Sequence, residues 1–271
     1  MNSLILRTIT GSLFVLLVIG SMIWNPFVFA VIIGVFCAIG SYEYIKMIRV
    51  KTWHISSPSF FVFSLFIYIV VSLVALNIIH IRFLSLICLP LFGTLIQTLF
   101  RKTQNPIEEM GAQILGLVYI PLPMAMFNFL LDFQPNTGEY RLDIILGFFL
   151  LIWINDIFAY LTGSLIGRHK LFERISPKKT WEGSIGGGVF AVLFSCLFAW
   201  YFEDKTFGFW IGMAIVIVLT GSIGDLVESM IKRDLKIKDS GNIMPGHGGV
   251  LDRFDASIMA APFVFIYLLF F

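Results

Sequence analysis

Long apolar runs broken by short polar connections dominate the chain, and nine of them reach the length a membrane crossing needs: residues 4–24, 26–45, 58–78, 82–100, 110–131, 142–164, 184–202, 207–231 and 254–271. A hydrocarbon core of about 30 Å takes about 20 predominantly apolar residues per helix. Only helices or closed barrels can cross lipid, because every backbone polar group must be satisfied within the protein. A barrel strand alternates apolar and polar positions, whereas these runs are uninterrupted. The tight connections at Trp24-Asn25-Pro26 and His80-Ile81-Arg82 predict helical hairpins. The pattern therefore predicts an all-α polytopic integral membrane protein with about nine transmembrane helices. The first run follows the single Arg7 as a signal peptide would, but no clear small-x-small cleavage site follows it, and it is read as a span.

Composition sharpens this reading: 58% of the 271 residues are hydrophobic, 13% are charged and the mean hydropathy is +0.90. Soluble domains carry roughly 25% charged residues, so a water-soluble globule is excluded. A net charge of +2 is too small for a counterion-releasing nucleic-acid surface. The three cysteines, Cys37, Cys88 and Cys196, lie inside apolar runs without zinc-ligand or C-x-x-C spacing, and read as packing residues. Charge placement says more than its sum. With the N-terminus inside and nine crossings, all of the 19 lysines and arginines except Arg82, Arg141 and Lys205 fall on the cytoplasmic side. This is the positive-inside asymmetry. It predicts a multi-pass protein of the cytoplasmic (inner) membrane with its C-terminus outside.

The two long polar segments, 165–183 and 232–253, both lie in the second half, so residues 1–141 read as a transmembrane scaffold and 142–271 as the region carrying chemistry. Ionisable groups at membrane depth cost about 2.5–3.5 kcal/mol each on insertion scales and require a reason. Asp156 follows Asn155 near the end of the sixth run, with Tyr160 and Thr162 at helical spacing; an interhelical polar clasp is the alternative to a functional role. In the eighth run Asp225, Glu228, Ser229 and Lys232 fall on one helical stripe, i, i+3, i+4, i+7, leading into Lys232-Arg233. A helix merely emerging into water explains the basic pair but not Asp225.

The segment PGHGGVLDRFDAS surrounds His247 with Gly246, Gly248 and Gly249, which would let backbone approach a ligand. Asp252 and Asp255 follow where the last helix begins, and that N-terminus suits phosphate or a phosphate-bound metal. Ordinary capping needs only one aspartate. Ser176-Pro177 reads as a helix cap followed by proline at the first helical position, aiming Lys178 and Lys179 at an anion. For Arg168, Lys170 and Arg174, contact with lipid headgroups explains the charge equally well. Gly183, Gly186, Gly187 and Gly188 read as close helix packing. No G-x-x-x-x-G-K-[ST] or strand-borne G-x-G-x-x-G occurs, which excludes soluble-type nucleotide folds. Carboxylates amid basic groups are what Mg²⁺ with substrate phosphates accepts, so metal-assisted phosphoryl or nucleotidyl transfer is the expected chemistry.

The run SMIKRDLKIKDSGNIMPGHGGVLDRFD, residues 229–255, resembles the signature of the phosphatidate cytidylyltransferases, or CDP-diacylglycerol synthases. The matching positions are Ser229, Lys232, Arg233, Lys238, Asp239, Gly241, Pro245, His247, Gly248, Gly249, Asp252, Arg253 and Asp255; Met244 stands where the pattern prefers Leu, Ile or Phe. NDIFAYLTGSLIGRHK and SPKKTWEG are also similar to that family, whereas the first five runs match only in being hydrophobic. The resemblance implies the reaction of phosphatidic acid with CTP, giving CDP-diacylglycerol and pyrophosphate, dependent on Mg²⁺. It also implies a homodimer among membrane lipids.

On that reading Asp225 and Asp252 are the principal metal ligands, and Asp156 and Asp255 support them or hold a second ion. Lys232, Arg233 and His247 are expected to act in catalysis, and Ser176, Lys178, Lys179, Ser229, Gly248, Gly249 and Arg253 to bind substrate. A secondary transporter is the competing class, but its site would sit near the midplane between inverted repeats, and no repeat is visible. The motif D-x-x-D-G-x-x-A-R of transferases acting on CDP-activated lipids is absent.

Overall fold

A computed structural model describes residues 3–49, 57–134, 136–202, 205–241, 243 and 248–271. Contacts divide the chain into two units, residues 1–141 with 235–253, and residues 142–234 with 254–271.

The first unit holds α1 (Ser3–Trp24), α2 (Pro26–Ile48), α3 (Ser57–Ala75), a 3-10 segment (Ile81–Ile87), α4 (Cys88–Leu99), α5 (Pro106–Tyr119), α6 (Pro121–Met126) and a second 3-10 segment (Phe127–Leu131). The turn between α1 and α2 is one residue long because Asn25 does two jobs. Its extended backbone ends one helix, and its Oδ1 accepts from Phe27 N at 2.8 Å, with Pro26 at the first helical position. Two expected single helices are broken. Residues 82–100 become a 3-10 segment followed by α4, and 110–131 become α5, α6 and a 3-10 turn. In the latter, Pro121 has no N–H and its ring excludes a continuous helix through Ile120. Polar bonds tie the helices together: Tyr44 Oη donates to Ala112 O (2.8 Å), Asn128 Nδ2 to Ser72 Oγ (3.0 Å), and Ser41 and Ser64 share a hydrogen bond of 2.6 Å. Interhelical bonds in membrane proteins average about 0.6 kcal/mol, so they fix orientation more than they add stability.

The second unit holds α7 (Asp143–Ile166), strands β1 (Lys170–Phe172) and β2 (Ser176–Thr180), α8 (Trp181–Tyr201) and α9 (Phe207–Asp234). It also takes the greater part of α10 (Leu251–Leu268). Small residues bring α7 and α8 together. A Cβ on Gly187 would stand 2.6 Å from Asn155 O, and one on Gly183 2.7 Å from Ala159 O. The glycines of α8 thus serve close packing, as expected. Phe158 stacks on Phe190 with ring centroids 3.8 Å apart. At 28 residues α9 is about 42 Å long and outruns a hydrocarbon core of about 30 Å by roughly two turns. Its polar end carries the surplus.

Seven described segments are long and apolar enough to cross a membrane: Pro26–Ile48, Pro58–Ala75, Ile81–Leu99, Pro106–Leu131, Asp143–Ile166, Trp181–Tyr201 and Phe207–Asp234. Within α1 the stretch Ile9–Trp24 is apolar, and α10 carries Asp252, Arg253 and Asp255 in its first turns. Leu99, Phe100, Ile107 and Leu165 are each more than three-quarters exposed. A bilayer satisfies such side chains where water would not. The protein is an all-α, multi-spanning membrane protein, with one small β-hairpin among the described residues.

Candidate active site

Polar chemistry collects in two centres, one in each unit. In the second unit, Asp225 and Glu228 sit on consecutive turns of α9, where helical spacing lets each reach a partner one turn on. Ser229 Oγ donates to Asp225 Oδ1 at 3.3 Å, and Lys232 Nζ lies 2.9 Å from Glu228 Oε2. Lys179, on β2, reaches Asp225 Oδ2 at 2.5 Å. Glu228 is 2% exposed while Lys179 and Asp225 retain about a third of their surface. Asp255 on α10 lies within electrostatic reach of Asp225, Glu228 and Asp156. Four carboxylates thus share one region with two ammonium groups. Asp156 is exposed on α7 and accepts from Asn155 Nδ2 at 3.4 Å.

The hairpin holds the basic side of this centre, and it corrects one expectation. Ser176 does not cap a helix. Ser176–Thr180 is a strand paired antiparallel with Lys170–Phe172, and α8 begins at Trp181. Its cap is Thr180, whose Oγ1 accepts from Gly183 N at 3.2 Å. Proline tolerates an edge strand as well as a first helical turn, so Ser-Pro alone does not choose between them. The hairpin's base is closed by Glu182, which accepts from the backbone N–H of Arg168 (3.1 Å) and His169 (3.2 Å). Arg233 Nε donates to Ile175 O at 3.4 Å, tying the end of α9 to the hairpin. Lys178 is exposed, next to the partly buried Lys179.

The centre of the first unit is built around two carboxylates. Asp252 Oδ2 accepts from Ser240 N (2.9 Å), Ser240 Oγ (2.9 Å) and Gly249 N (2.8 Å), reaching back three residues as in a capping box. Glu43, on α2 and 1% exposed, accepts from Val250 N at 3.0 Å and Leu251 N at 3.1 Å. These N–H groups open α10 and have no partner inside the helix. Gly248 has φ +84°, and a Cβ there would stand 2.7 Å from Asp252 Oδ2. Gly248 and Gly249 therefore let backbone approach the protein's own carboxylates, where the sequence reading expected a ligand. Arg253 is exposed. His247, with Pro245 and Gly246, lies outside the described residues.

The sequence pattern gives Glu43 no role, since the first five runs read as scaffold. The signal is present all the same, because a glutamate in an apolar run demands a partner. Its partners lie about 200 positions away in the chain, and spacing could not supply them.

The donor set of the second centre is carboxylate oxygen, the type that Mg²⁺ accepts. Asp156, Asp225, Glu228 and Asp255 lie in this centre with Lys179 and Lys232. Among the described residues no three His, Cys, Asp or Glu side chains stand close enough to form a ligand cluster by themselves. Waters and substrate phosphates usually complete a Mg²⁺ shell, so the chemistry of the donors fits such an ion.

Fold and centres together describe a multi-spanning membrane protein with carboxylate-rich polar centres, and comparison with known proteins places it among the nucleotidyltransferases. The sequence pattern of the cytidylyltransferase family matches residues 5–271, so the chain belongs to that family, the phosphatidate cytidylyltransferases or CDP-diacylglycerol synthases. It is 42% identical over 159 residues to a phosphatidate cytidylyltransferase of Rickettsia bellii, covering 56% of this chain and 67% of the relative. It is 38% identical over 180 residues to that of Staphylococcus aureus, covering 66% of each. With the enzyme of Staphylococcus haemolyticus the identity is 35% over 192 residues, or 70% of each chain. The aligned part thus spans about two thirds of these relatives.

Proposed function

We propose that this protein transfers the cytidylyl group of CTP to phosphatidic acid, giving CDP-diacylglycerol and pyrophosphate at the cytoplasmic membrane face. The observation that carries the reading is the Lys179–Asp225 pair, with the second carboxylate–lysine pair Glu228–Lys232 one turn further along α9. The phosphate monoester of phosphatidic acid has a second pKa of about 6 and is an anion at neutral pH. It needs no protein base. Its oxygen attacks the α-phosphorus of CTP in line, an O–P bond forms, the bond to the bridging oxygen breaks and pyrophosphate departs. The protein's work is to bring two anions together and hold them. Lys178, Lys179, Lys232, Arg233 and Arg253 supply positive charge for the phosphates, with Lys179 and Lys232 already steered by Asp225 and Glu228. Ser176, Ser229, Gly248, Gly249 and His247 complete the proposed substrate contacts. A divalent cation, held by Asp225 and Asp252 with Asp156 and Asp255 in support, would neutralise the leaving pyrophosphate.

The experiment is CTP-dependent pyrophosphate release by purified protein, with and without phosphatidic acid. Release that requires the lipid supports the proposal. Ion flux in proteoliposomes without any release would favour a transporter instead. The same reading puts nine spans in the membrane, N-terminus inside and C-terminus outside, supported by the lysine and arginine asymmetry. Asp239 is exposed beside the buried Ser240, so Asp239→Cys is the position to probe. It should resist an impermeant thiol reagent in intact cells, and ready labelling would overturn the orientation.

A further inference from the structure

We infer that Glu43 is a positioning residue for the transfer reaction, acting through the loop that carries Ser240, Gly249 and Asp252. The inference rests on the function proposed above.

The carboxylate lies on an apolar helix and is 1% exposed, a placement that insertion scales set at about 2.5–3.5 kcal/mol for an acid at membrane depth. Its geometry shows what offsets that cost. Each oxygen has its own backbone donor, Oε1 from Val250 N at 3.0 Å and Oε2 from Leu251 N at 3.1 Å. Charge-assisted bonds of this kind are about twice as strong as neutral ones, and a helix N-terminus favours an anion beside it. Oε2 also stands 3.4 Å from Ser240 Oγ. A hydroxyl has one hydrogen, and the shorter contact from that oxygen is 2.9 Å to Asp252 Oδ2. Ser240 therefore sits between the two carboxylates and gives its proton to Asp252.

Glu43 thus holds the Val250-Leu251 end of the loop directly, and Asp252, which follows Leu251, holds Ser240 at the other end. Both ends of the loop close on the carboxylate: a Cβ on Gly249 would meet Glu43 Oε2 at 2.6 Å and collide with Ser240 Oγ, and one on Gly241 would collide with Glu43 Oε1. Glutamine has the size of glutamate but only one acceptor oxygen. In Glu43→Gln one of the two N–H groups would face an NH₂, which cannot accept its hydrogen bond. The loop would loosen while the apolar packing of α2 remained.

The test compares wild-type and Glu43→Gln full-length protein, purified in detergent, by steady-state kinetics, thermal unfolding and hydrogen exchange. Glu43→Gln should lower kcat roughly 10- to 100-fold, the scale of an ångström-sized misplacement. The KM for CTP should change by less than about threefold, because Glu43 does not touch substrate. Exchange of the amides from 240 to 252 should rise, a readout independent of activity. Gly241→Ala, whose Cβ would collide with Glu43 Oε1 and so displaces the loop with Glu43 present, should reproduce both the kcat loss and the faster loop exchange, and decides the matter if Glu43→Gln does not fold. Wild-type kcat in well-folded Glu43→Gln, or unchanged exchange in the loop, would overturn the inference. A wild-type protein without CTP-dependent synthesis would remove the proposed function instead, and loop exchange would still decide whether Glu43 braces it.

Discussion

The two polar centres use the same side chains for different work. In the first unit Glu43 and Asp252 accept from N–H and hydroxyl donors, which fixes the two described ends of a loop. In the second, Asp225 and Glu228 face ammonium groups, which an incoming phosphate or cation can compete for. A carboxylate with neutral donors is committed to the fold, while a carboxylate paired with lysine remains available to charge. Asp252 fits the first description, with three donors on one of its oxygens, and is a proposed ligand by its place in the family signature.

The largest effect that sharpens this contrast is expected from removing charge without changing shape. Asp225→Asn and Asp252→Asn should each lower turnover roughly 100-fold or more, the scale on which one preorganised electrostatic group acts. The amide introduced by Asp252→Asn keeps an oxygen for Ser240 and Gly249, so its loss of activity would report charge and not loop order. Near-normal turnover by either folded variant at ordinary Mg²⁺ would remove that residue from the ligand set. A smaller effect is expected at the basic pair. Lys232→Ala or Arg233→Ala should raise the KM for CTP or phosphatidic acid, or lower kcat, about tenfold, as loss of a charge-assisted contact worth about 1.4 kcal/mol would. Unchanged kinetics in both would leave them as topology signals and as the tie from Arg233 to Ile175. The smallest effect belongs to the opposite end of α2, the helix that carries Glu43. Asn25→Ala removes the cap on Phe27 N and should cost about 1 kcal/mol of stability with turnover unchanged. A clear loss of kcat there would mean that the first unit's helices are coupled to the chemistry more widely than through Glu43.

Much of this was legible in the sequence because membrane helices obey few rules. Run length gave α1, α2, α7, α8 and α9 to within a few residues, and helical spacing gave the Asp225, Glu228, Ser229, Lys232 stripe that the structure shows as two bonded pairs. The glycines of α8 were readable as packing because their spacing fits neither G-x-x-x-x-G-K-[ST] nor G-x-G-x-x-G. What hid was local or distant. Pro121 and the 3-10 segment at Ile81–Ile87 interrupt runs whose hydropathy is continuous, so length alone joined them. Ser176-Pro177 fits both a first helical turn and an edge strand, and only pairing with Lys170–Phe172 distinguishes them. Glu43 needed a partner, but the partners come from the far end of the chain, and periodicity carries no information at that range.

The central claim is that one lipid phosphate and one nucleotide react here, and the direct measurement is of their joint product. Purified protein in phosphatidic-acid-containing micelles should form CDP-diacylglycerol and pyrophosphate in equal amounts when CTP and Mg²⁺ are both present, and neither product when the lipid, CTP or Mg²⁺ is withheld. Pyrophosphate formed without lipid, or no CDP-diacylglycerol from active, folded protein with all three present, would contradict it.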